Sequence, residues 1–276
     1  MPRLERTVRD AVYGVAVGDA LGVPVEGKSR GAFHVDTMVG GGTHDKPAGT
    51  YSDDTSLTLA TANSIRICEG IDVEDMLKRY QAWLFNGAYV VDGSVFGVGR
   101  TTCEALKSGR GLDGVQNNGN GSLMRIVPLA FVNSVTDEQI EAVSAITHAH
   151  EIARRACVIY VRLAQALLDG VSIAGALRRI DAEAPFDRLK GIAGLSEDDI
   201  RSSGYVVDTL EAALWCLATT ADFESAVRAG VNLGNDADTT GAVTGGLAGI
   251  VYGKEAIPSK WVSALRGRGI LEACLF

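Results

Sequence analysis

Apolar residues recur every three or four positions along most of the chain. This is the spacing of one buried face of an α-helix, which has 3.6 residues per turn. The pattern is clear in three segments, 4–15, 73–84 and 157–168. We therefore predict that helices dominate the fold.

Residues that typically begin helices stand before several other apolar runs. Thr136 and Gln139 have the spacing of a capping box, and Ser172 precedes an apolar run as an N-cap residue would. The alternating pattern of a strand is confined to short pieces such as 88–91 and 205–207, which are too isolated to build a sheet.

No long linker, low-complexity tract or internal repeat divides the sequence. Only residues 184–203 are a candidate for an extended loop. The expected fold class is therefore all-α, with a single compact multi-helix domain over residues 1–276.

Two predicted helices carry a glycine at every fourth position. The glycines are Gly14, Gly18 and Gly22 in one segment, and Gly241, Gly245, Gly249 and Gly253 in the other. Each glycine costs a helix about 1 kcal/mol relative to alanine, so such a stripe indicates that a helix or a ligand approaches the backbone closely. Chance in a glycine-rich chain is the alternative.

Composition and charge exclude several classes of protein. Of 276 residues 46% are hydrophobic, which excludes a disordered chain and, with no collagen repeat, leaves a globular protein. The net charge of −8 repels phosphate backbones, so we expect no general nucleic-acid binding.

The cysteines and the apolar segments bear on location. The five cysteines are widely spaced, which favours buried thiols in a reducing compartment over a disulfide framework or a zinc site. The first ten residues lack the order of a secretory signal, and the uncharged stretch 239–253 is too short to span a membrane. We expect a cytoplasmic protein with no membrane contact.

Two clusters of acidic and hydroxyl residues stand at predicted helix starts. Residues 52–55 read Ser-Asp-Asp-Thr, and residues 235–240 read Asn-Asp-Ala-Asp-Thr-Thr. Oxygen ligands of this kind suit Mg²⁺, Mn²⁺ or Ca²⁺, although each cluster by itself is also what an ordinary helix N-terminus looks like. If the two clusters meet in space, a two-metal site follows, because four carboxylates would repel each other without cations.

Residues 22–29 match the phosphate-binding pattern Gly-x-x-x-x-Gly-Lys-Ser letter for letter. The preceding segment has helical rather than strand spacing, no helical pattern follows, and Glu26 would place a carboxylate among phosphate anions. A nucleotidase that depends on Lys28 is therefore disfavoured. Glu26 follows a proline-containing break, where it could act as a general acid or base or could simply be a surface residue.

Other polar loops are candidates for holding an anion. The Asn- and Gly-rich segment 117–122 leads into an apolar run, and the Gly-x-Gly of 97–99 permits close approach of a ligand. Asp92 could contact a ligand or cap a turn. His148 could stack on a ligand or be structural.

Together these segments resemble the ADP-ribosylglycohydrolase family. The resemblance rests on six motifs in the family's order: 14–26, 52–55, 119–125, 147–148, 204–210 and 235–239. They cover nearly the whole chain. The resemblance implies an all-helical fold that holds two divalent cations, Mg²⁺ or Mn²⁺, at the bottom of a cleft for ADP-ribose.

The resemblance also assigns expected roles to residues. The expected metal ligands are Ser52, Asp53, Asp54, Asp236, Asp238 and Thr239. The expected catalytic residues are Glu26 and Asp54. The expected substrate-binding residues are Asp92, Gly97, Val98, Gly99, Asn117, Asn118, Gly119, Asn120, Gly121, Ser122, His148 and Tyr205.

The implied reaction removes ADP-ribose from a mono-ADP-ribosylated protein by hydrolysis, and we expect the enzyme to be a monomer. Some arginine-directed members carry an acid where this chain has Gly97. Arginine, serine and other acceptors therefore remain open. A non-catalytic ADP-ribose-binding protein of the same fold is the alternative function.

Overall fold

The computed structural model describes residues 3–180 and 183–276. Twelve α-helices lie within this part of the chain, connected by turns and short 3₁₀ helices. Their bounds are α1 Val8–Gly22, α2 Asp53–Cys68, α3 Val73–Asn86, α4 Arg100–Ser108, α5 Asp137–Ala145, α6 Glu151–Leu168, α7 Ile173–Arg179, α8 Val206–Thr219, α9 Phe223–Asn232, α10 Ala237–Tyr252, α11 Ser259–Ala264 and α12 Arg268–Cys274. The described residues form isolated β-bridges but no β-strand. The predicted all-α fold class is confirmed.

The antiparallel pair α1 and α10 forms the centre of the fold. Their glycine stripes face each other, so that Gly14 lies against Gly245 and Gly18 against Gly241. A methyl group at any of these four positions would overlap a backbone carbonyl of the other helix. Close contact between the two backbones is therefore the reason for the stripes. Gly253 lies just beyond α10.

Other helices pack around this pair. Helix α2 packs against α1, α3 and α12, while α8 and α9 pack against α10. Helix α6 packs against α5, α8 and α10. One continuous cluster of buried apolar side chains runs through all of these contacts.

The predicted helix starts are found where the sequence indicated them. Thr136 and Gln139 form a reciprocal capping box at the start of α5. The Ser172 side chain accepts a hydrogen bond from the backbone N–H of Gly175 at the start of α7. These short-range signals depend only on residues three positions apart, which is why the sequence reveals them.

Three expectations about local structure were wrong. Val206 and Val207 begin α8 instead of forming a strand, Tyr205 is its N-cap and forms an isolated β-bridge with Gly119, and residues 88–91 form a turn followed by a bend. Two 3₁₀ helices, Asp187–Gly194 and Glu197–Asp199, occupy much of the expected loop. All five cysteines are free thiols, but only three are buried, since Cys68 is exposed and Cys103 half-buried.

Candidate active site

The two acidic clusters meet beside the end of α1. Ser52 is the N-cap of α2, and Asp236 is the N-cap of α10. The two clusters therefore stand at the N-termini of two different helices. Carboxylate oxygens of Asp54 and Asp238 lie within 4.8 Å of each other. A second group, Glu26, Asp236 and Asp238, has the same spacing.

The glycine at the end of α1 permits this meeting. A Cβ at Gly22 would overlap the Cα of Asp238, so the backbone that carries the second acidic cluster lies directly on α1. Three residues later the chain reaches Val25 and then Glu26, whose carboxylate joins the group. The contact between α1 and α10 therefore forms the centre of the fold and also brings these acidic residues together.

Asp19 is an acidic residue of this cluster that the sequence analysis did not assign. It lies on α1, and one of its oxygens is within 4.8 Å of oxygens of Asp54 and Asp238. Its carboxylate also accepts hydrogen bonds from the backbone N–H groups of Ser52 (2.9 Å) and Thr55 (3.0 Å) and from the Thr55 hydroxyl (2.6 Å). Asp19 thus caps α2 from a neighbouring helix. Its only sequence signal is a charge inside a glycine-rich apolar helix.

Burial perturbs the ionisation of these acids. It raises the pKa of Asp19 to about 6, and hydrogen bonds from Thr55 and Ser52 oppose the shift. Burial, followed by repulsion from neighbouring carboxylates, raises the pKa values of Asp53, Asp54 and Asp238 well above the ordinary range. A compensating positive charge would lower them again.

The donor set fits a hard divalent cation. Asp54 Oδ1 is buried and receives no hydrogen bond from any residue in the described ranges. The other oxygen of Asp54 accepts from the Ser52 hydroxyl at 3.0 Å and lies 3.5 Å from the Thr239 hydroxyl. Carboxylate and hydroxyl oxygens are the ligands that Mg²⁺ and Mn²⁺ prefer. An unpaired buried carboxylate oxygen is costly unless a cation or a proton satisfies it.

A cavity of about 270 Å³ opens above the acids. The expected site residues that line it are Glu26, Asp53, Gly97, Gly99, Gly119, Asn120, Gly121, His148, Asp236, Asp238 and Thr239. Ser52 and Asp54 are buried directly beneath this floor. The cavity is thus acidic at its base and rich in glycine on its walls.

One wall consists of the loop before α4 and the start of that helix. Gly97 has a φ of 82°, and a Cβ there would overlap Asp53 Oδ1, so a side chain at this position would strain the backbone and displace the Asp53 carboxylate. The N-terminus of α4 follows at Gly99, where free backbone N–H groups and the helix dipole favour an anion.

The facing wall is the Asn- and Gly-rich loop. Asn120 Nδ2 donates to Asp236 Oδ2 at 2.7 Å and to the Thr209 hydroxyl at 2.9 Å, which ties the loop to the acidic cluster. A Cβ at Gly121 would come within 2.9 Å of the His148 ring. These glycines therefore let the histidine reach the cavity.

His148 is buried and uncharged at physiological pH. Burial, and to a lesser extent the positive charge of Arg125, lowers its pKa to about 3. Its Nδ1 lies 2.8 Å from the Thr147 hydroxyl, which in turn accepts from Arg125. A neutral ring of this kind offers a flat surface and one hydrogen-bonding nitrogen to a ligand.

Other expected substrate-binding residues lie outside the cavity lining, and their roles remain predictions. The Asp92 carboxylate pairs with Lys46 at 3.2 Å. Asn117 and Asn118 use their side-chain carbonyls to accept hydrogen bonds from Thr101 and from the backbone of α6. The others are Val98, packed against the core, Ser122, fully buried, and Tyr205, at the start of α8.

The cavity also has lining residues that the sequence analysis did not single out. They are Arg100, Thr101, Thr102, Met124 and Gly204. Arg100, Thr101 and Thr102 form the first turn of α4, directly after the Gly-x-Gly loop. That position after a glycine loop is the signal that could have identified them.

Comparison with known proteins places this geometry in a family. The family described as ADP-ribosylglycohydrolase matches residues 1–275. The chain is 34% identical over 269 residues to the ADP-ribosylarginine hydrolase Tri1 of Pseudomonas putida (strain GB-1), covering 92% of this chain and 72% of that protein.

Two further matches cover a larger share of the other protein than this one does. The ADP-ribosyl-[dinitrogen reductase] glycohydrolase of Rhodospirillum rubrum is 32% identical over 280 residues, which is 96% of this chain and 92% of that protein. A solved structure titled "ADP-ribosylglycohydrolase-related protein complex" superimposes with a TM-score of 0.81 at 35% identity, covering 97% of this chain and 94% of that one.

Proposed function

The chain belongs to the ADP-ribosylglycohydrolase family and is an ADP-ribosyl glycohydrolase, and from this premise we propose that it uses divalent cations to release ADP-ribose from modified protein side chains. The observation that carries the metal dependence is the buried acidic cluster, in which Asp54 Oδ1 has no hydrogen-bond partner among the described residues. Mg²⁺ and Mn²⁺ are the cations that we propose.

The proposed ligands are the oxygens at the two helix starts. Asp53, Asp54, Asp236, Asp238 and Thr239 would hold the cations, with Ser52 orienting Asp54 through its hydroxyl. Bound divalent cations supply Lewis acidity and positive charge to the ribose hydroxyl groups and to the attacking water. Asp54 belongs to both proposed sets, metal-binding and catalytic, because its buried Oδ1 has no hydrogen-bond partner among the described residues and is free to bind a cation.

Glu26 is the proposed general base. Its carboxylate lies at the edge of the cavity, half-buried, beside Asp236 and Asp238. As a water oxygen bonds to the anomeric carbon, one water proton passes to Glu26. The glycosidic bond to the acceptor breaks, the acceptor atom takes up a proton from solvent, and Glu26 returns its proton to solvent, which leaves free ADP-ribose and the unmodified side chain.

The cavity walls are proposed to hold the rest of the ADP-ribose. The N-terminus of α4 and the loop containing Gly97 and Gly99 would receive the diphosphate, because backbone N–H groups and the helix dipole favour anions there. The neutral ring of His148 and the side chain of Tyr205, which is 37% exposed, would contact the adenosine half.

Arginine is the acceptor that we propose first. Two relatives at 34% and 32% identity are named ADP-ribosylarginine hydrolases. Gly97 stands where some arginine-directed family members carry an acid, so another acid must face the guanidinium group of the substrate. The cavity floor supplies several acids. We further propose that the protein acts as a monomer in the cytoplasm, where its free thiols remain reduced.

The test measures free ADP-ribose by mass spectrometry after incubation with arginine-linked and serine-linked peptides. Each peptide is tested with Mg²⁺, with Mn²⁺ and with a chelator. Asp53→Asn is compared with Asp198→Asn, an exposed aspartate outside the cavity. We expect metal-dependent release from the arginine-linked peptide that Asp53→Asn abolishes and Asp198→Asn leaves unchanged.

Two results would contradict the proposal. Full release in the presence of the chelator would remove the metal from the mechanism. Tight ADP-ribose binding without release from either peptide would favour a binding protein of the same fold.

A further inference from the structure

A short turn at residues 41–46 lies against the segment that carries Glu26. The turn closes on itself, because the backbone N–H of Gly41 donates to the carbonyl of Lys46 at 2.7 Å. Gly42 has a φ of 73°, and a Cβ at this residue would overlap the carbonyl of Pro24. The backbone of the 41–46 turn therefore rests on the backbone two residues before Glu26.

The 41–46 turn contacts Glu26 at both its backbone and its side chain. The Thr43 hydroxyl donates to the Glu26 carbonyl, and His44 Nε2 donates to the Glu26 carboxylate. A carboxylate only accepts hydrogen bonds, so Nε2 carries the proton of this bond. The two side chains are 22% and 29% exposed, so water competes only partly for this bond.

The His44 ring also contacts an aromatic ring. The Phe96 ring lies 5.0 Å from the His44 ring, centroid to centroid, at an angle of 47°. Lys46 fixes Phe96 in turn, with its ammonium 4.6 Å above the Phe96 ring and 3.2 Å from the Asp92 carboxylate. Phe96 directly precedes Gly97 of the cavity wall, so the 41–46 turn bridges Glu26 and that wall.

Glu26 needs such a support. Its carboxylate lies within 4.8 Å of oxygens of Asp236 and Asp238, and like charges at this range repel each other. A glutamate side chain with three rotatable bonds would move outward to solvent unless another group held it. The His44 side chain forms a hydrogen bond with the Glu26 carboxylate and can hold it against this repulsion.

We propose that His44 is a positioning residue, which keeps the Glu26 carboxylate directed at the cavity floor through the hydrogen bond from Nε2. This inference rests on the proposed function, because it assigns Glu26 a part in the reaction. A base oriented by a third group is a recurrent arrangement in enzymes, since turnover depends on the direction of the proton-accepting oxygen. In this chain the orienting group comes from the 41–46 turn.

The first test is a double-mutant cycle on ADP-ribose release under saturating metal. His44→Ala lowers kcat by roughly tenfold or more, within the range that a general base contributes, and leaves KM nearly unchanged. His44→Gln, whose amide can still donate, recovers most of kcat. Adding His44→Ala to Glu26→Gln lowers kcat no further, because the residue acts through Glu26. His34→Ala, at an exposed histidine paired only with Asp36 in the described structure, is the matched control.

The cycle has outcomes that overturn the proposal. A His44→Ala variant with the wild-type kcat would overturn it. A His44→Gln variant whose kcat is no higher than that of His44→Ala would overturn it too. A raised KM with unchanged kcat would make His44 a substrate-binding residue instead. A further loss in the double variant would mean that His44 acts independently of Glu26.

The second test does not use turnover. The chain has four histidines, so their imidazole nitrogens can be resolved by NMR after ¹⁵N labelling. Glu26→Ala should shift the His44 ring nitrogens and leave those of His34 in place; an unchanged His44 spectrum would refute the hydrogen bond. If the wild-type enzyme releases no ADP-ribose, the proposed function fails, whereas this spectrum still decides the contact between His44 and Glu26.

Discussion

Gly18→Ala tests the close contact between α1 and α10. A methyl group at Gly18 would overlap the carbonyl of Gly241, and both atoms belong to rigid helix backbones, so the helices must separate. Overpacking a core in this way costs about 1–3 kcal/mol, and here the upper end applies because no side chain can rotate away. Alanine returns about 1 kcal/mol through its helix propensity. The net loss in the free energy of unfolding is therefore about 2 kcal/mol.

Thermal unfolding followed by circular dichroism measures this loss. For a protein of this size, about 2 kcal/mol lowers Tm by roughly 4–8 °C. Gly269→Ala in α12 is the matched control, since a Cβ there meets no atom within 4 Å among the described residues. This control should be neutral or stabilising by up to about 1 kcal/mol. A Gly18→Ala variant that melts at or above the wild-type temperature would refute the packing argument.

Three more predictions concern the site. In chelator-treated protein, the acids whose pKa values burial raises, to about 6 for Asp19, bind protons more tightly in the folded state than in the unfolded chain. The contribution of Asp19 to the free energy of unfolding is therefore largest below about pH 4 and is lost as pH rises through about 6, and that of Asp54 is lost as pH rises through its own raised pKa; urea titrations that show the opposite slope would contradict this. Adding Mn²⁺ at about 100 times its Kd should stabilise the protein by about 2.7 kcal/mol, and Asp54→Asn, but not Asp198→Asn, should abolish the resulting rise in Tm. Because its pKa is lowered to about 3, His148 should stay neutral between about pH 5 and 8, and titrating ring resonances in NMR spectra would show otherwise.

Local signals in the sequence predicted much of the fold. The glycine spacing on α1 and α10 indicated close approach of a helix or a ligand to the backbone, and the structure shows that a helix makes the approach; Thr136 with Gln139 indicated a helix start. Residues 205–207 misled because three apolar residues fit either a strand or the first turn of a helix, and the helical continuation decided between them. Such ambiguity is inherent in short apolar runs.

The candidate site was harder to predict than the fold. The Ser-Asp-Asp-Thr motif at 52–55 carries its own pattern and was found from the sequence. Asp19 and His44 belong to no such motif, because each acts through a tertiary contact, Asp19 with the start of α2 and His44 with Glu26. A residue whose partner lies in another element is visible only after the elements have been placed.

The antiparallel pair of α1 and α10 also bears on how the molecule assembles. Gly14 and Gly245 meet although they lie far apart along the chain, and the acidic residues of the site come from the α1 region, the start of α2 and the start of α10. Contacts of such high sequence separation form late and slow the folding rate, because the entropy of closing a long loop comes first. We therefore expect folding intermediates in which the outer helices have formed while α1 still exposes its glycine face. Metal affinity should appear in refolding kinetics only with the final phase.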